Sequence, residues 1–397
     1  MANLLDQLKT MTVVVSDSGD FHSIEKFKPR DATTNPSLIA KAAEMAAYAP
    51  IVDGALVWAK KEAGDKANRD TVVKVAIDRL AVEFGLKILQ IVPKRVSTEV
   101  DARLSFDTQG SIDKGRALIA QYEKAGMTKD RVLIKLASTW EGIRAAEVLE
   151  KEGIHCNMTL LFGIHQAVAA ADAKATLISP FVGRILDWYK KDTGKASYEP
   201  AEDPGVVSVT EIFNYYKKYD IKTEIMGASF RNIGEITELA GCDLLTISPE
   251  LLGELQGKEG QLPKKLDADK AKAMSIPKIT VDEKAFREMH EKNRMAKDKL
   301  AEGIDGFTKA LVSLEKQLAE RIDLIDKAAK TKGDDRASAA KALFKVYDKD
   351  GNGFITKDEW GGDQKVFDAF DTNHDGKIGP DEMAAGLGAQ INEAHSN

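Results

Sequence analysis

Short apolar runs alternate with amphipathic segments between residues 12 and 248. Several of the intervening segments have helical spacing, as in residues 111–126 and 139–153. Strands that alternate with helices form a parallel sheet with helical crossovers. Eight strands over this length favour a closed barrel over an open sheet, so we predict an α/β fold of the (β/α)8 (TIM barrel) type. The runs are TVVVSD (12–17), DATTNP (31–36), KILQIV (87–92), RVLIKL (131–136), IHCNMTL (154–160), ATLISP (175–180), TEIMGAS (223–229) and DLLTIS (243–248).

The pattern changes beyond residue 252. Residues 257–282 are charged and contain prolines, which predicts a loop, whereas residues 283–325 have a helical composition and are expected to pack on the barrel. Residues 326–338 lack aromatic residues, valine, isoleucine and leucine, which is typical of a linker. We therefore predict a barrel domain with C-terminal helices (1–325), a linker (326–338) and a small all-α module (339–397).

The charge distribution supports a separate module at the end of the chain. From Ala337 to Asn397 there are 11 acidic and 6 basic residues, so this segment carries −5 of the total net charge of −6. A net negative charge provides no basic footprint for nucleic acid, and we expect no nucleic-acid partner.

We expect a cytoplasmic protein without a membrane partner. The N-terminal segment has no basic region followed by a long apolar one, so it does not resemble a signal peptide. No apolar run approaches the roughly 18 residues of a membrane span. The two cysteines, Cys156 and Cys242, suggest no disulfide framework and are expected to be free, buried thiols.

Lys135 is unusual because it lies inside the apolar run of RVLIKLAST. Burial of an unpaired ammonium costs several kcal/mol or lowers the lysine pKa until the amine is neutral. One interpretation is a lysine at a strand end whose amine reaches solvent. The other is a neutral amine retained for covalent chemistry.

Polar side chains at the other predicted strand ends favour the second interpretation, because chemistry in such barrels comes from the C-terminal strand ends. A desolvated amine can attack a ketone, and carboxylates can move the protons that imine formation and carbon–carbon cleavage require. Arg184 and Arg231, each near a strand end among small residues, suit a phosphate group. A phosphorylated ketose fits these groups.

Seven sequence blocks closely resemble the class I transaldolases, in order from about residue 1 to 325. They are VVVSDSGD, DATTNPSL, STEVDARLSFD, LIKLASTWEGI, CNMTLLF, SPFVGRILDW and MGASFRN. The resemblance implies a Schiff base between Lys135 and the donor ketose. It further implies that Asp17 is the acid/base for bond cleavage and that Glu99 and Thr159 hold the water of imine chemistry.

The resemblance also implies which residues bind the substrate. Those for the dihydroxyacetone unit are Asn35, Asn157 and Ser179. Those for the phosphate are Arg184, Ser229 and Arg231. The family transfers dihydroxyacetone from sedoheptulose 7-phosphate to glyceraldehyde 3-phosphate, which gives erythrose 4-phosphate and fructose 6-phosphate, a reaction of the pentose phosphate pathway. No catalytic cofactor is implied, because the imine acts as the electron sink, and a homodimer is a candidate assembly.

Phe181 separates transfer from simple aldol cleavage. It matches the transaldolase pattern, whereas the related fructose 6-phosphate aldolases have tyrosine there. Phenylalanine cannot take part in protonation of the carbanion, so we favour a transferase and keep the aldolase as the alternative. A third hypothesis is a calcium-dependent binding protein on an inactive barrel, which does not explain why Lys135, Asp17 and Glu99 occur together.

Two acidic loops near the C-terminus match the EF-hand pattern D-x-[DN]-x-[DN]-G-x5-E. A hard cation needs about six to eight oxygen ligands, the glycine permits a sharp turn, and the last glutamate closes the site. The expected ligands of residues 348–359 are Asp348, Asp350, Asn352, the Phe354 carbonyl and Glu359. Those of residues 371–382 are Asp371, Asn373, Asp375, the Lys377 carbonyl and Glu382.

We expect the two loops to bind calcium and their isoleucines to pair in a short sheet. The loops begin only 23 residues apart, which is closer than in common EF-hand pairs. Short connecting helices raise doubt about the opening motion of a calcium sensor. A structural calcium pair and a calcium switch both remain open at this point.

Overall fold

The chain divides into two compact units, each built from two separate parts of the sequence. The computed structural model describes residues 2–64, 66–330, 344, 347–360, 367–368, 370–383 and 385. The first unit comprises Met1–Pro36 and Gly85–Lys309, and the second comprises Ser37–Phe84 and Ala310–Asn397.

The first unit is a closed parallel barrel, as the alternating sequence pattern predicts. Within the described residues its eight strands pair in chain order, and β1 closes the barrel against β8. The strands are β1 Val13–Asp17, β2 Asp31–Thr33, β3 Val96–Glu99, β4 Val132–Ala137, β5 Cys156–Leu161, β6 Leu177–Pro180, β7 Glu224–Gly227 and β8 Leu244–Ile247.

Helices connect these strands and continue beyond them. They are α1 Leu4–Lys9, α2 Phe21–Phe27, α3 Pro36–Ala43, α4 Ala49–Ala63, α5 Arg69–Ile91, α6 Thr108–Lys124, α7 Trp140–Lys151, α8 Ile164–Asp172, α9 Gly183–Thr193, α10 Pro204–Lys218, α11 Ile233–Glu238, α12 Pro249–Gly257, α13 Ala268–Ala273, α14 Glu283–Lys292 and α15 Arg294–Lys330. None of these described helices is both long and apolar enough to cross a lipid bilayer.

Helices α6 and α7 show how local sequence places the crossovers. The Asp107 side chain accepts a hydrogen bond from the Gly110 N–H at the start of α6, and Thr139 does the same for Gly142 at the start of α7. Such caps satisfy backbone donors that the first turn leaves free. Both helices then bury one apolar face, so each helix begins at its cap and packs on the sheet.

The prediction of a strand at residues 87–92 is wrong. KILQIV is the end of helix α5, and the third strand is β3, which follows Pro93. Leu80, Phe84 and Ile88 are buried at intervals of four residues, which is the helical period. The short apolar run therefore continues one helical face, an ambiguity that periodicity alone does not resolve in a six-residue window.

The other seven predicted runs each overlap a strand. The segment predicted as a loop, residues 257–282, contains the short helix α13. The helical prediction for residues 283–325 is confirmed by α14 and α15, which are separated at Asn293. Cys156 and Cys242 are free and buried, as expected.

The second unit joins the acidic C-terminal region to helices of the chain. Its EF-hand part contains β9 (Ile355–Thr356), α16 (Lys357–Trp360) and β10 (Lys377–Ile378). Strands β9 and β10 are antiparallel, with Ile355 opposite Ile378, which confirms the predicted pairing of the two isoleucines. The buried aromatic and aliphatic side chains of this region cluster with Ala49 of α4.

A buried ion pair anchors the same region. Arg321 of α15 forms an ion pair with Asp53 of α4 at 2.6 Å and donates a hydrogen bond to the Tyr347 hydroxyl at 2.7 Å. The two charged side chains are only 12% and 16% exposed, so each depends on the other for its charge compensation. The EF-hand region is therefore attached to α4 and α15 through both apolar packing and a charged contact.

The boundaries of the linker at residues 325 and 338 are still only predicted. Helix α15 continues to Lys330, five residues into the segment interpreted as a linker, and residues 331–338 lie outside the described residues. The prediction placed residues 37–84 in the barrel domain. In the structure these residues form one compact unit with residues 310–397.

Candidate active site

Lys135 lies in the middle of a buried cluster of charges at the barrel interior. The lysine is 4% exposed, and its Nζ lies 3.1 Å from Glu99 Oε2. The same amine donates a hydrogen bond to the Thr34 carbonyl at 3.1 Å. The interpretation of Lys135 as a solvent-reaching side chain is therefore wrong, because the amine is enclosed together with a carboxylate.

Strand register brings these groups together. Glu99 of β3 is the direct neighbour of Lys135 in β4, and Lys135 is the direct neighbour of Asn157 in β5. Residues two apart in a strand face the same side, so Thr159 shares the face of Asn157. The Thr159 hydroxyl is buried, and it has no hydrogen-bond partner in the described part of the chain.

Asp17 ends β1 and is held by a chain of hydroxyl groups. Its Oδ1 accepts a hydrogen bond from Thr33 Oγ1 at 2.9 Å, and Thr33 in turn contacts Thr246 Oγ1 at 2.7 Å. Burial raises the pKa of Asp17 above its ordinary value, whereas Lys135, Thr33 and Arg184 act in the opposite direction. The site thus holds a carboxyl group whose proton affinity exceeds that of an exposed aspartate.

Burial likewise raises the pKa of Glu99, and the charges of Lys135 and Arg184 oppose this effect. A higher pKa makes the Glu99 carboxylate a stronger base than an exposed glutamate. Its Oε2 lies 3.1 Å from the Lys135 amine, which places this base next to the nitrogen atom.

A second polar chain crosses strands β3, β5 and β6. Asn157 donates a hydrogen bond to Ser97 Oγ at 3.0 Å and accepts one from Ser179 Oγ at 2.6 Å. These bonds fix the orientation of the Asn157 amide in the interior. Asn35 is half-buried directly after Thr34, whose carbonyl contacts Lys135.

Two arginines follow strands β6 and β7. Arg184 stacks on the Phe181 ring at 4.9 Å and on the Phe307 ring at 5.4 Å. Arg231 forms an ion pair with Asp187 at 2.7 Å and lies 3.4 Å from Ser229 Oγ. Burial and the positive charge of Arg231 both lower the pKa of Arg184, so an anion near these arginines would relieve their mutual repulsion.

Phe181 is 5% exposed and meets Phe162 edge to face, with ring centroids 5.4 Å apart. The ring therefore presents an apolar surface beside Arg184 and brings no hydroxyl group to the site.

Two contact residues, Thr33 beside Asp17 and Ser97 beside Asn157, were not among the residues predicted for the site. Ser97 lies two residues before Glu99 on the same strand face, so the alternation of β3 would have revealed it. The misplaced third strand concealed this signal.

The acidic loops of the second unit have converging oxygen atoms. Carboxylate oxygens of Asp348, Asp350 and Glu359 all lie within 4.8 Å of one another. The Asp348 carboxylate accepts hydrogen bonds from Asn352 and Gly353 N–H, and Gly353 has the positive φ of 87° that a glycine tolerates best. Hard oxygen donors in this arrangement fit a calcium ion.

The second loop repeats this arrangement. Asp371 accepts hydrogen bonds from Asp375 N–H at 3.0 Å and Gly376 N–H at 2.9 Å. Glu382 Oε2 accepts one from Gly379 N–H at 2.8 Å, as Glu359 does from Thr356 N–H. The structure also describes Phe354 in the first loop and Lys377 in the second. Their backbone carbonyls are the ligands predicted from the sequence.

The closed barrel and the buried amine beside a carboxylate place the chain among the (β/α)8-barrel enzymes. The family model described as Transaldolase/Fructose-6-phosphate aldolase matches residues 14–318. Two further models, EF-hand domain and EF hand, match residues 339–362 and 363–387. The chain belongs to the transaldolase/fructose-6-phosphate aldolase family and has two EF-hand domains at its C-terminal end.

Several similar proteins from bacteria are named Transaldolase. One from Thermosynechococcus vestitus is 61% identical over 394 residues, covering 99% of this chain and 100% of the relative. One from Synechocystis sp. is 62% identical over 387 residues, with 98% and 97% coverage. One from Nostoc sp. is 67% identical over 327 residues, which cover 82% of this chain and 98% of that relative.

Replacement of Thr33 by valine should raise the pKa of Asp17 further. The change removes a hydrogen bond that favours the ionised carboxylate, so the pKa of Asp17 should lie higher in the variant than in the wild type. Carbon-13 NMR of labelled aspartate carboxyls, followed from acidic to mildly alkaline pH, measures the shift. Thr246→Val is the matched control, since it leaves the Thr33–Asp17 bond in place. An unchanged Asp17 titration in Thr33→Val would contradict this account.

Proposed function

We propose that the protein is a transaldolase that moves a dihydroxyacetone unit from sedoheptulose 7-phosphate to glyceraldehyde 3-phosphate. The observation that carries the proposal is the buried Lys135–Glu99 contact inside a barrel of this family. The high identity to proteins named Transaldolase over nearly the whole chain supports the same reaction.

Lys135 acts as the nucleophile in this proposal. Its ammonium passes a proton to Glu99, and the free amine attacks the ketose carbonyl to form a carbinolamine. Loss of water gives the imine, with Glu99 and the Thr159 hydroxyl holding that water. Burial supports these steps because it makes Glu99 a stronger base and keeps bulk water from the imine.

Asp17 breaks the carbon–carbon bond. Its carboxylate removes the proton from the hydroxyl two carbons beyond the imine carbon, the bond to the dihydroxyacetone unit breaks, and an aldose leaves. The electron pair enters the imine as an enamine, so no catalytic cofactor is needed. The enamine then adds to the acceptor aldehyde, Asp17 returns the proton, and water releases fructose 6-phosphate.

The binding assignments follow the positions of the polar groups. Asn35, Asn157 and Ser179 hold the dihydroxyacetone hydroxyls, and the fixed Asn157 amide supports this role. Arg184, Ser229 and Arg231 hold the phosphate, because a dianion offsets the repulsion between the two arginines.

The second candidate function is an aldolase that releases free dihydroxyacetone. Phe181 argues against it, because its ring offers no hydroxyl to position the water that would protonate the enamine. An assay that follows free dihydroxyacetone alongside sedoheptulose 7-phosphate formation separates the two reactions. Faster release than transfer would establish the aldolase.

Replacement of Lys135 by methionine should abolish transfer and imine formation together. Methionine has a similar length and no amine, so the transfer rate should fall at least about a thousandfold. Borohydride reduction in the presence of fructose 6-phosphate, followed by mass spectrometry, should trap substrate on the wild type but not on the variant. Lys124→Met, at an exposed position of α6, is the control. Trapped substrate on Lys135→Met would assign the nucleophile to another residue.

We further propose that each EF-hand loop binds one calcium ion through the oxygen ligands predicted from the sequence. Arg321, Asp53 and Tyr347 attach this region to α4 and α15. This attachment favours two structural calcium sites over a calcium sensor that opens towards a separate target. Cytoplasmic location and a homodimer stay predictions.

Calcium should raise the melting temperature of the full chain, because binding only to the folded loops stabilises them. The double variant Glu359→Gln/Glu382→Gln should lose most of this increase, since each glutamate closes one site. Scanning calorimetry with calcium or chelator measures the difference, and magnesium is the control ion. Isothermal titration that detects no calcium binding at millimolar concentration would refute the calcium proposal.

A further inference from the structure

Two buried carboxyl groups lie beneath the loop that carries Ser229 and Arg231. Glu235 of α11 is 1% exposed and Asp203, which precedes α10, is 3% exposed. Neither residue was singled out in the sequence. Glu235 Oε2 accepts a hydrogen bond from the Arg231 backbone N–H at 2.6 Å, and Asp203 Oδ1 accepts one from the Gly205 N–H at 2.8 Å.

Asp203 Oδ1 also lies 3.4 Å from the Val206 N–H, and the Asn232 backbone N–H supports Glu235, so backbone donors from two segments hold the pair. Glu235 Oε1 is buried and receives no hydrogen bond from a donor group of the described residues, while the Asp203 side chain lies within hydrogen-bonding reach. Two carboxyl groups can share a hydrogen bond only when one of them is protonated. Burial raises the pKa of Glu235 to about 7, and it raises that of Asp203 as well. The pair therefore shares one proton below about pH 7.

This pair lies where the two arginine-bearing segments meet. Ser229 has a left-handed backbone with φ of 60°, and its carbonyl accepts a hydrogen bond from Gly183 N–H at 2.8 Å. A Cβ atom on Gly183 would lie only 2.5 Å from that carbonyl, so the loop sits directly on the start of α9. Similarly, a Cβ atom on Gly205 would lie 2.2 Å from the Val182 carbonyl. Little space is left for either segment to shift separately.

The charged groups around the pair come from helix α9 and from the loop that carries Ser229 and Arg231. Lys190 of α9 acts on Asp203 through its positive charge, and Asp187 of the same helix is bound by the Arg231 guanidinium. From the loop, Arg231 presents its backbone N–H to Glu235. The Arg231 guanidinium is paired with Asp187 rather than with either buried carboxyl, so it does not take the place of the shared proton.

We propose that Glu235 is a positioning residue, which holds the Ser229–Arg231 loop in its phosphate-binding conformation through a proton shared with Asp203. The inference rests on the proposed assignment of Ser229 and Arg231 to the substrate phosphate. Loss of the shared proton leaves two adjacent carboxylates that repel each other. This repulsion displaces the Glu235 carboxylate, which accepts the hydrogen bond from the Arg231 backbone N–H. Affinity for the phosphate then falls, while the chemistry at Lys135 is unchanged.

The ionisation of Glu235 sets the direction of the pH effect. Glu235 is protonated below about pH 7 and ionised above it, so the loop is held at neutral and acidic pH and loosened at alkaline pH. In the wild type we expect the KM for fructose 6-phosphate to rise about tenfold with pH through this range, the loss typical of one hydrogen bond, with little change in kcat.

Glu235→Gln tests the proposal, because glutamine has nearly the same shape as protonated glutamate and cannot lose a proton in this pH range. Its amide N–H donates to Asp203 and its carbonyl accepts the Arg231 N–H at every pH. We expect a low KM that no longer rises at alkaline pH. Glu238→Gln on the same helix is the control, since Glu238 pairs with Lys265 and should leave the wild-type profile intact. Glu235→Leu, if folded, should show a high KM at every pH.

Calorimetric titration with inorganic phosphate separates this inference from the proposed reaction. If the wild type catalyses no transfer, the proposed function fails, yet phosphate affinity should still fall with pH in the wild type and stay constant in Glu235→Gln. An alkaline loss that is the same in both proteins, the absence of any loss in the wild type, or the absence of phosphate binding would each overturn the inference.

Discussion

The register of the parallel strands controls the chemistry of the barrel interior. Glu99, Lys135 and Asn157 lie at the same level on adjacent strands because β3, β4 and β5 pair without a shift at these residues. Since side chains alternate between the two faces of a strand, a slip of one residue would turn Lys135 away from its carboxylate. Closure between β1 and β8 fixes this register, because every strand is bonded on both sides and none can slide as a free edge.

The two ends of the barrel use charged side chains for different purposes. At the strand starts, Asp31 forms ion pairs with Arg30 at 2.9 Å and Arg95 at 3.1 Å, and Arg95 also binds Glu224 of β7 at 2.7 Å. Paired guanidinium groups keep their charge and fill their hydrogen-bonding capacity, which suits a structural contact. At the other end, Lys135 lies beside Glu99, and burial raises the pKa values of Glu99 and Asp17. Arginine therefore ties strands together at the first end, whereas the second end holds the lysine proposed as the nucleophile.

Features encoded by neighbouring residues could be predicted from the sequence, whereas contacts between distant residues could not. The EF-hand loops were predicted residue by residue because their ligands, glycines and paired isoleucines belong to one local pattern. The barrel and most of its strands followed from alternating apolar runs, and the predicted site residues followed from strand ends and the family resemblance. KILQIV was misplaced because six apolar residues suit a strand or a buried helix face equally well. The contacts of Glu235 with Asp203, and of Arg321 with Asp53, join distant parts of the chain that no local pattern connects.

The buried charges near Lys135 also constrain how such a site can evolve. Asp17, Glu99, Lys135 and Arg184 are two potential anions and two cations in one enclosed space, so each compensates the others. A substitution that removes one of them leaves an unbalanced charge in a medium that solvates it poorly. Such substitutions are expected to be strongly non-additive, and a lineage that changes the reaction would have to exchange these residues in pairs. The composition of this cluster should therefore change in steps rather than by gradual drift.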